Sequence, residues 1–232
     1  MNILAVVPAR GGSKSIPRKN IKLLDGKPLL SYTAKVIRNS KLIDRAIVST
    51  DDEKIMKLAS GYGLEAPFLR PCELAKDDSP SISVLQHAVN TIYEIDNYIP
   101  EIIINLQPTS PFRRSHRIDE ALNIFIDSKD ADSLVSVEKI PHNYSPFSAM
   151  VMDGKYIRPL QKINEKKNMR DKKPEYYARN GAINSICTYD CLINRNSLYG
   201  NKIIPFIMSR KESIDIDDQF DWLLAEFICK SS

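Results

Sequence analysis

Apolar and polar positions alternate in blocks along this chain. Ile3-Leu4-Ala5-Val6-Val7 is a short continuous apolar run, the pattern of a buried strand. Arg45–Thr50 repeats it, and Asp51-Asp52 follows as a helix-start signal. Ser79-Pro80 reads as an N-cap with proline in the first helical position, and Ile82, Leu85, Val89 and Ile92 then recur at helical spacing. Glu101–Leu106 is a β-branched run between Pro100 and Pro108, which predicts a central strand. Ile118, Ala121, Leu122 and Phe125 line one helix face, and Ser133–Val137 is another strand. Phe220, Leu223, Leu224 and Phe227 predict the buried face of a last helix that starts at Asp217 or Asp218.

This βαβα order predicts an α/β fold: a mostly parallel sheet covered by helices, in one domain of 232 residues. Ligands of such sheets bind beyond the carboxyl ends of the strands. The segment after the first strand and Gln107-Pro108-Thr109-Ser110-Pro111 after the strand at 101–106 therefore share one rim. Residues of about 139–175 break the pattern and predict an excursion from the main sheet that serves subunit contact.

The first of these rim segments carries the strongest chemistry. Pro8–Asn20 holds Gly11 and Gly12, whose N–H groups can converge on an anion. Arg10, Lys14, Arg18, Lys19 and Lys22 precede the first acidic residue, Asp25. That charge suits a nucleoside triphosphate. The spacing matches neither a Walker A loop nor a dinucleotide fingerprint. In Ser213–Asp218, Asp215 and Asp217 repeat every second residue, so an extended chain points both to one side. Two such carboxylates suit Mg²⁺, which takes a few carboxylates and completes its shell with phosphate and water. Asp218 is left to cap the last helix.

Composition narrows the classes. Net charge is +4, and residues 162–173 alone carry six bases and two acids, equal to that excess. Nucleic-acid binding is therefore not expected. Cys72, Cys187, Cys191 and Cys229 lack zinc-type spacing and are expected as free thiols of a cytoplasmic protein. No stretch is long and apolar enough to span a bilayer, and residues 1–7 are unlike a signal peptide.

Five segments together, Pro8–Asn20, Arg70–Leu74, Leu106–Arg113, Asn180–Ala182 and Ser213–Asp217, resemble the acylneuraminate cytidylyltransferases. These are the CMP-sialic acid synthetases and their bacterial relatives acting on legionaminic and related nine-carbon acids. The resemblance implies a Rossmann-like nucleotidyltransferase fold and a Mg²⁺-dependent reaction. CTP and an acidic nine-carbon sugar would give the CMP-sugar and pyrophosphate. It implies triphosphate contacts for Arg10, Ser13, Lys14 and Lys19, with Lys19 stabilising charge at the α-phosphate. Catalysis would thus fall to Lys19, Arg10 and Asp215. It gives Asn20, Arg70 and Ser81 to the cytidine, and Gln107 to the sugar. Arg170 and Arg179 become contacts to the acidic acceptor, and Asp215 and Asp217 the Mg²⁺ ligands. It also implies a homodimer joined through the excursion. The departures lie on the sugar side: Arg179 stands one residue later than the family pattern, and Asn184 and Ser148 replace a Tyr and a Lys. The competing expectations are a 3-deoxy-octulosonate cytidylyltransferase and a nucleotide-binding regulatory domain that does not catalyse.

Overall fold

The computed structural model describes residues 1–160 and 174–231. Its core is a sheet built on the apolar runs. The first half of the chain supplies strands β1 (Ile3–Pro8), β4 (Arg45–Ser49) and β5 (Ile102–Asn105), with a small β2–β3 hairpin (Leu23–Leu24, Lys27–Pro28) between them. The second half supplies β6 (Ser133–Lys139), β9 (Tyr177–Arg179), β10 (Ser185–Thr188) and β11 (Ile203–Ile207). The spatial order is β11-β6-β10-β5-β1-β4, with β9 paired to β6. β1 runs parallel to both β4 and β5, and β11 runs parallel to β6. β10 lies antiparallel to both β5 and β6, so it alone is reversed along that path. The expected mostly parallel sheet is therefore present. The reversed β10 strand, four residues without a long apolar run, carries no sequence signal of comparable strength.

Helices α1 (Leu29–Arg38), α2 (Glu53–Gly61), α3 (Ser81–Asp96), α4 (Ser115–Asp127) and α5 (Gln219–Lys230) complete the fold. The Asp52 side chain caps α2, accepting from the Lys54 and Ile55 N–H groups. One core cluster joins β1, β5, α1 and α4; another joins β1 and β5 to α3, through Leu85, Val89 and Ile92.

Two helix expectations are corrected. Pro80, not Ser79, occupies the N-cap of α3, and Ser81 opens the helix. The Ser79 hydroxyl instead closes its own loop, donating to the Glu73 carbonyl and accepting from the Lys76 N–H at 3.0 Å each. The second correction concerns α5. Asp218 caps it in a reciprocal box with Asp221, but Phe220 and Phe227 stay 75% and 67% exposed. The face that packs carries Trp222 and Ala225, against Ile16, Leu24, Leu29 and Ile216. Lys22 Nζ lies 4.2 Å over the Trp222 ring, which pins that rotation.

After β6 the described chain leaves the sheet. Strands β7 (Met150–Asp153) and β8 (Tyr156–Pro159) pair antiparallel as a two-stranded sheet of their own. The basic run, with Arg170, lies outside the described residues. All four cysteines are free. Cys187 and Cys191 are buried, and burial pushes the Cys187 thiol up to about 12. Among the described residues, no helix is long and apolar enough to cross a membrane.

Candidate active site

A cleft of about 400 Å³ opens at the carboxyl ends of β1 and β5. The segment after β1 brings Arg10, Ser13, Lys14, Lys19 and Asn20 to it. Arg70 and Ser81 enter from the loop before α3 and from its first turn, and Gln107 from the turn after β5. Asp217 closes the far wall. Nine of the residues expected from the sequence thus line one cavity.

The phosphate-loop geometry differs in one respect from expectation. The Gly11 N–H is not left for an anion; it donates to the Asp51 carboxylate at 2.8 Å. A side chain at Gly11 would strike Asp52, with a Cβ only 2.8 Å from that residue's own. Glycine there lets the loop pack on the start of α2. The loop is closed by Asn20, whose buried amide donates to the Arg10 carbonyl at 2.9 Å. Arg18, in a left-handed backbone conformation with φ 55°, turns the chain at that point.

Lys19 is the hinge of the site. Its side chain is only 13% exposed, and it lies 4.0 Å from the Asp217 carboxylate. Its ammonium donates to the Ile216 carbonyl at 2.7 Å. Burial pulls its pKa below the ordinary lysine value, while the Asp217 and Asp215 charges push it back up. The Ile216 N–H in turn donates to the Thr109 carbonyl at 2.8 Å. The segment bearing both carboxylates is therefore stitched to the phosphate loop and to the turn after β5.

Asp215 sits on the Asn180–Ala182 turn. A Cβ at Gly181 would fall 2.6 Å from Asp215 Cγ, so only glycine leaves the carboxylate its place. The Asn180 amide donates to Ser213 at 2.8 Å and holds the two segments in register. Ser110 donates weakly to Asp215 Oδ1 at 3.4 Å. Partial desolvation, then the Asp215 charge, raise the Asp217 pKa above the usual carboxylate range. Among the described residues no cluster of three or more acidic, histidine or cysteine side chains could hold a metal. Asp217 lines the cleft while Asp215, expected beside it, lies behind on Gly181; carboxylates two residues apart on one segment are still the donor type that suits a Mg²⁺ ion sharing phosphate oxygens.

Two expected residues stand differently. Arg70 lines the cleft, but its Nε donates to Ser49 Oγ at 3.0 Å and Nη1 to the Leu74 carbonyl at 3.3 Å. Burial pulls its pKa down to about 10. It anchors the loop before α3 with donors to spare, since a guanidinium carries five. Arg179 does not line the cleft; its guanidinium stacks 4.6 Å over the Tyr199 ring. Arg170 falls among the residues not described.

Asp77 was not foreseen. It pairs with Arg10 at 2.6 Å and with Lys14, two cations expected to meet the triphosphate. Those ion pairs hold the Asp77 carboxyl below the usual range, the Lys14 hydrogen bond most. It lies three residues beyond the Arg70–Leu74 motif, where only a loop is legible. Ser15, whose hydroxyl donates to the Asp217 carbonyl, was given no role by the sequence, while Thr109 of the expected rim segment does line the cleft.

Comparison with known proteins agrees with this geometry. Residues 4–213 match the family model described as cytidylyltransferase. The CMP-N,N'-diacetyllegionaminic acid synthase of Legionella pneumophila is 35% identical over 227 residues, 97% of this chain and 95% of that protein. The N-acylneuraminate cytidylyltransferase of Escherichia coli is 33% identical over 231 residues, 96% of this chain but 51% of that longer protein. Among solved structures, CMP:2-keto-3-deoxy-manno-octonic acid synthetase complexed with CTP superposes with a TM-score of 0.74 at 18% identity, covering 100% of this chain and 99% of that one. That last likeness speaks to the fold alone. With a family model spanning nearly the whole described sheet and a cleft built from the same segments, the chain belongs to the cytidylyltransferase family.

Proposed function

We propose that this protein transfers a cytidylyl group from CTP to an acidic nine-carbon α-keto acid sugar of the legionaminic or N-acylneuraminic type, giving the CMP-sugar and pyrophosphate. The observation that carries this reading is the meeting of Lys19 with the Asp215–Asp217 segment across one cleft, the ammonium 2.7 Å from the Ile216 carbonyl. The relatives named for legionaminic and N-acylneuraminic acids, at 35% and 33% identity, support the acceptor class.

In this reading the triphosphate lies along Arg10, Ser13, Lys14 and Lys19, and the cytosine lies toward Arg70, Asn20 and Ser81. The anomeric hydroxyl oxygen of the sugar forms the new bond to the α-phosphorus and gives its proton to solvent water. The bond from that phosphorus to the bridging oxygen breaks, and pyrophosphate departs with the electron pair. Arg10 and Lys14 hold the departing charge, and Lys19 faces the α-phosphate, where charge builds in the transition state. Gln107 orients the sugar. Asp215 and Asp217 would hold Mg²⁺, which supplies charge neutralisation at the phosphate oxygens.

A homodimer is part of the proposal. The β7–β8 hairpin exposes Met150, Met152, Tyr156 and Ile157, and a two-stranded hairpin is marginal alone. A second copy covering it would resolve that. The reaction is placed in the cytoplasm, where free thiols such as Cys187 persist.

The test is incubation with CTP, Mg²⁺ and a panel of acid sugars, with the products identified by mass. Nine-carbon acids are expected to yield CMP-sugars with release of pyrophosphate. Preferential turnover of 3-deoxy-octulosonate would overturn the acceptor assignment. CTP binding without turnover on any acid would leave a non-catalytic nucleotide-binding domain.

A further inference from the structure

Beneath the turn that carries Gln107 lies a buried cation to which the cytidylyltransfer mechanism gives no part. Arg113 is 4% exposed. Its Nη1 donates to the Ala182 carbonyl at 2.8 Å. Its Nη2 donates to Thr33 Oγ1 and to the Gln107 carbonyl. Its Nε has no partner. The three acceptors come from helix α1, from the turn after β5 and from the turn before β10. Burial pulls its pKa down to about 10, and Asp215 supplies the charge that opposes this.

A guanidinium this deep is a poor device for stability alone, because an apolar side chain of similar volume fills such a space without the desolvation penalty. What an apolar side chain cannot do is fix two main-chain carbonyls at once. One belongs to Gln107. The other belongs to Ala182, next to Gly181, whose Cα face is the seat of the Asp215 carboxylate.

We propose that Arg113 is a positioning residue for the acceptor half of the reaction: it clamps the Gln107 turn to the Gly181–Ala182 turn and thereby holds the sugar-facing wall against the Asp215 wall. The nucleotide cradle of Arg10, Lys14, Asn20 and Ser81 makes no hydrogen bond to it and stands without it. This inference rests on the cytidylyltransfer reading.

The experiment compares wild type with Arg113→Met, Arg113→Lys and Thr33→Val. KM for the acid sugar is measured, CTP binding is followed by calorimetry, and Tm is recorded. Arg113→Met is expected to raise the acceptor KM about tenfold or more while CTP affinity stays within about twofold, since displacement by a fraction of an ångström is costly at a reacting centre. Lysine keeps the charge but cannot span the acceptors, so Arg113→Lys gives a partial loss. Thr33→Val loosens the guanidinium without touching the cleft and shifts the acceptor KM the same way by about threefold. If Arg113→Met fails to fold, the other two variants decide. An acceptor KM unchanged in folded variants, or an equal loss toward both substrates, overturns the inference while the function stands. A wild type inert toward every acid sugar overturns the function itself, and the inference with it.

Discussion

The Lys19 ammonium and the Ile216 carbonyl are joined at 2.7 Å although they stand 197 positions apart in the chain. This bond makes one wall of the cleft depend on the other. In the proposed reaction Lys19→Ala removes the cation assigned to the α-phosphate, and it unties the segment that bears both carboxylates. The expected result is a fall in kcat of about 10² to 10³, the cost of losing a preorganised charge donor. Pyrophosphate release under saturating CTP measures it, and a variant within a few-fold of wild type would remove Lys19 from the reaction.

Asp77 pairs with both Arg10 and Lys14, so under the proposed function CTP has to displace it to reach them. Exposed pairs of this kind are weak individually. Asp77→Asn is accordingly expected to tighten CTP binding by about two- to fivefold, with the gain shrinking as salt is added. Calorimetric titration reads this directly. Weaker binding in the variant would mean that Asp77 helps to hold the nucleotide instead of competing with it.

How much of this was legible in the sequence depended on how local each signal was. The phosphate segment announces itself because five cations precede the first acid, and Asp215 and Asp217 because alternation and flanking isoleucines betray an extended chain. Of these residues Arg10, Lys14, Lys19 and Asp217 line the cleft; Arg18 pairs with Asp52, Lys22 lies over Trp222, and Asp215 sits behind, on Gly181. What escaped depends on partners distant in sequence. No local pattern says that Asp77 reaches Arg10, or that Gly11 gives its N–H to Asp51. Arg179 matched a motif by offset, yet the nearby Tyr199 ring holds it away from the cleft. Helix α5 has two apolar strips, and periodicity cannot choose between them; the Lys22–Trp222 contact and the buried Ile216 do.

Asp132 sets an acid limit to stability. The Lys202 N–H, then the Arg195 guanidinium, then the Asn201 N–H pull its pKa from 3.8 to about 2. Between those values the unfolded chain takes up a proton that the folded chain refuses, so stability rises with pH. The contribution is complete above about pH 4 and is lost as pH falls toward 2. Urea melts of wild type and Asp132→Asn should therefore differ clearly at pH 6 and converge near pH 2. The same gap at both values would show that the side chain acts through shape and not through charge.

Opposite faces of α5 should respond in opposite ways to truncation. Trp222 is 1% exposed, packs on Ile16 and Ile216, and donates its Nε1–H to Glu226 at 2.8 Å. Trp222→Ala leaves a large void beneath the phosphate loop, and a loss of about 3–5 kcal/mol is expected. Phe227, one strip over, loses almost no packing on truncation, so Phe227→Ala should stay within about 0.5 kcal/mol of wild type. Chemical denaturation of the two variants decides the rotation of the helix. Because Ile216 separates Asp215 from Asp217 and rests against Trp222, the tryptophan variant should also lose turnover at temperatures where it is still folded. Full activity in a folded Trp222→Ala protein would disconnect the helix from the carboxylate wall.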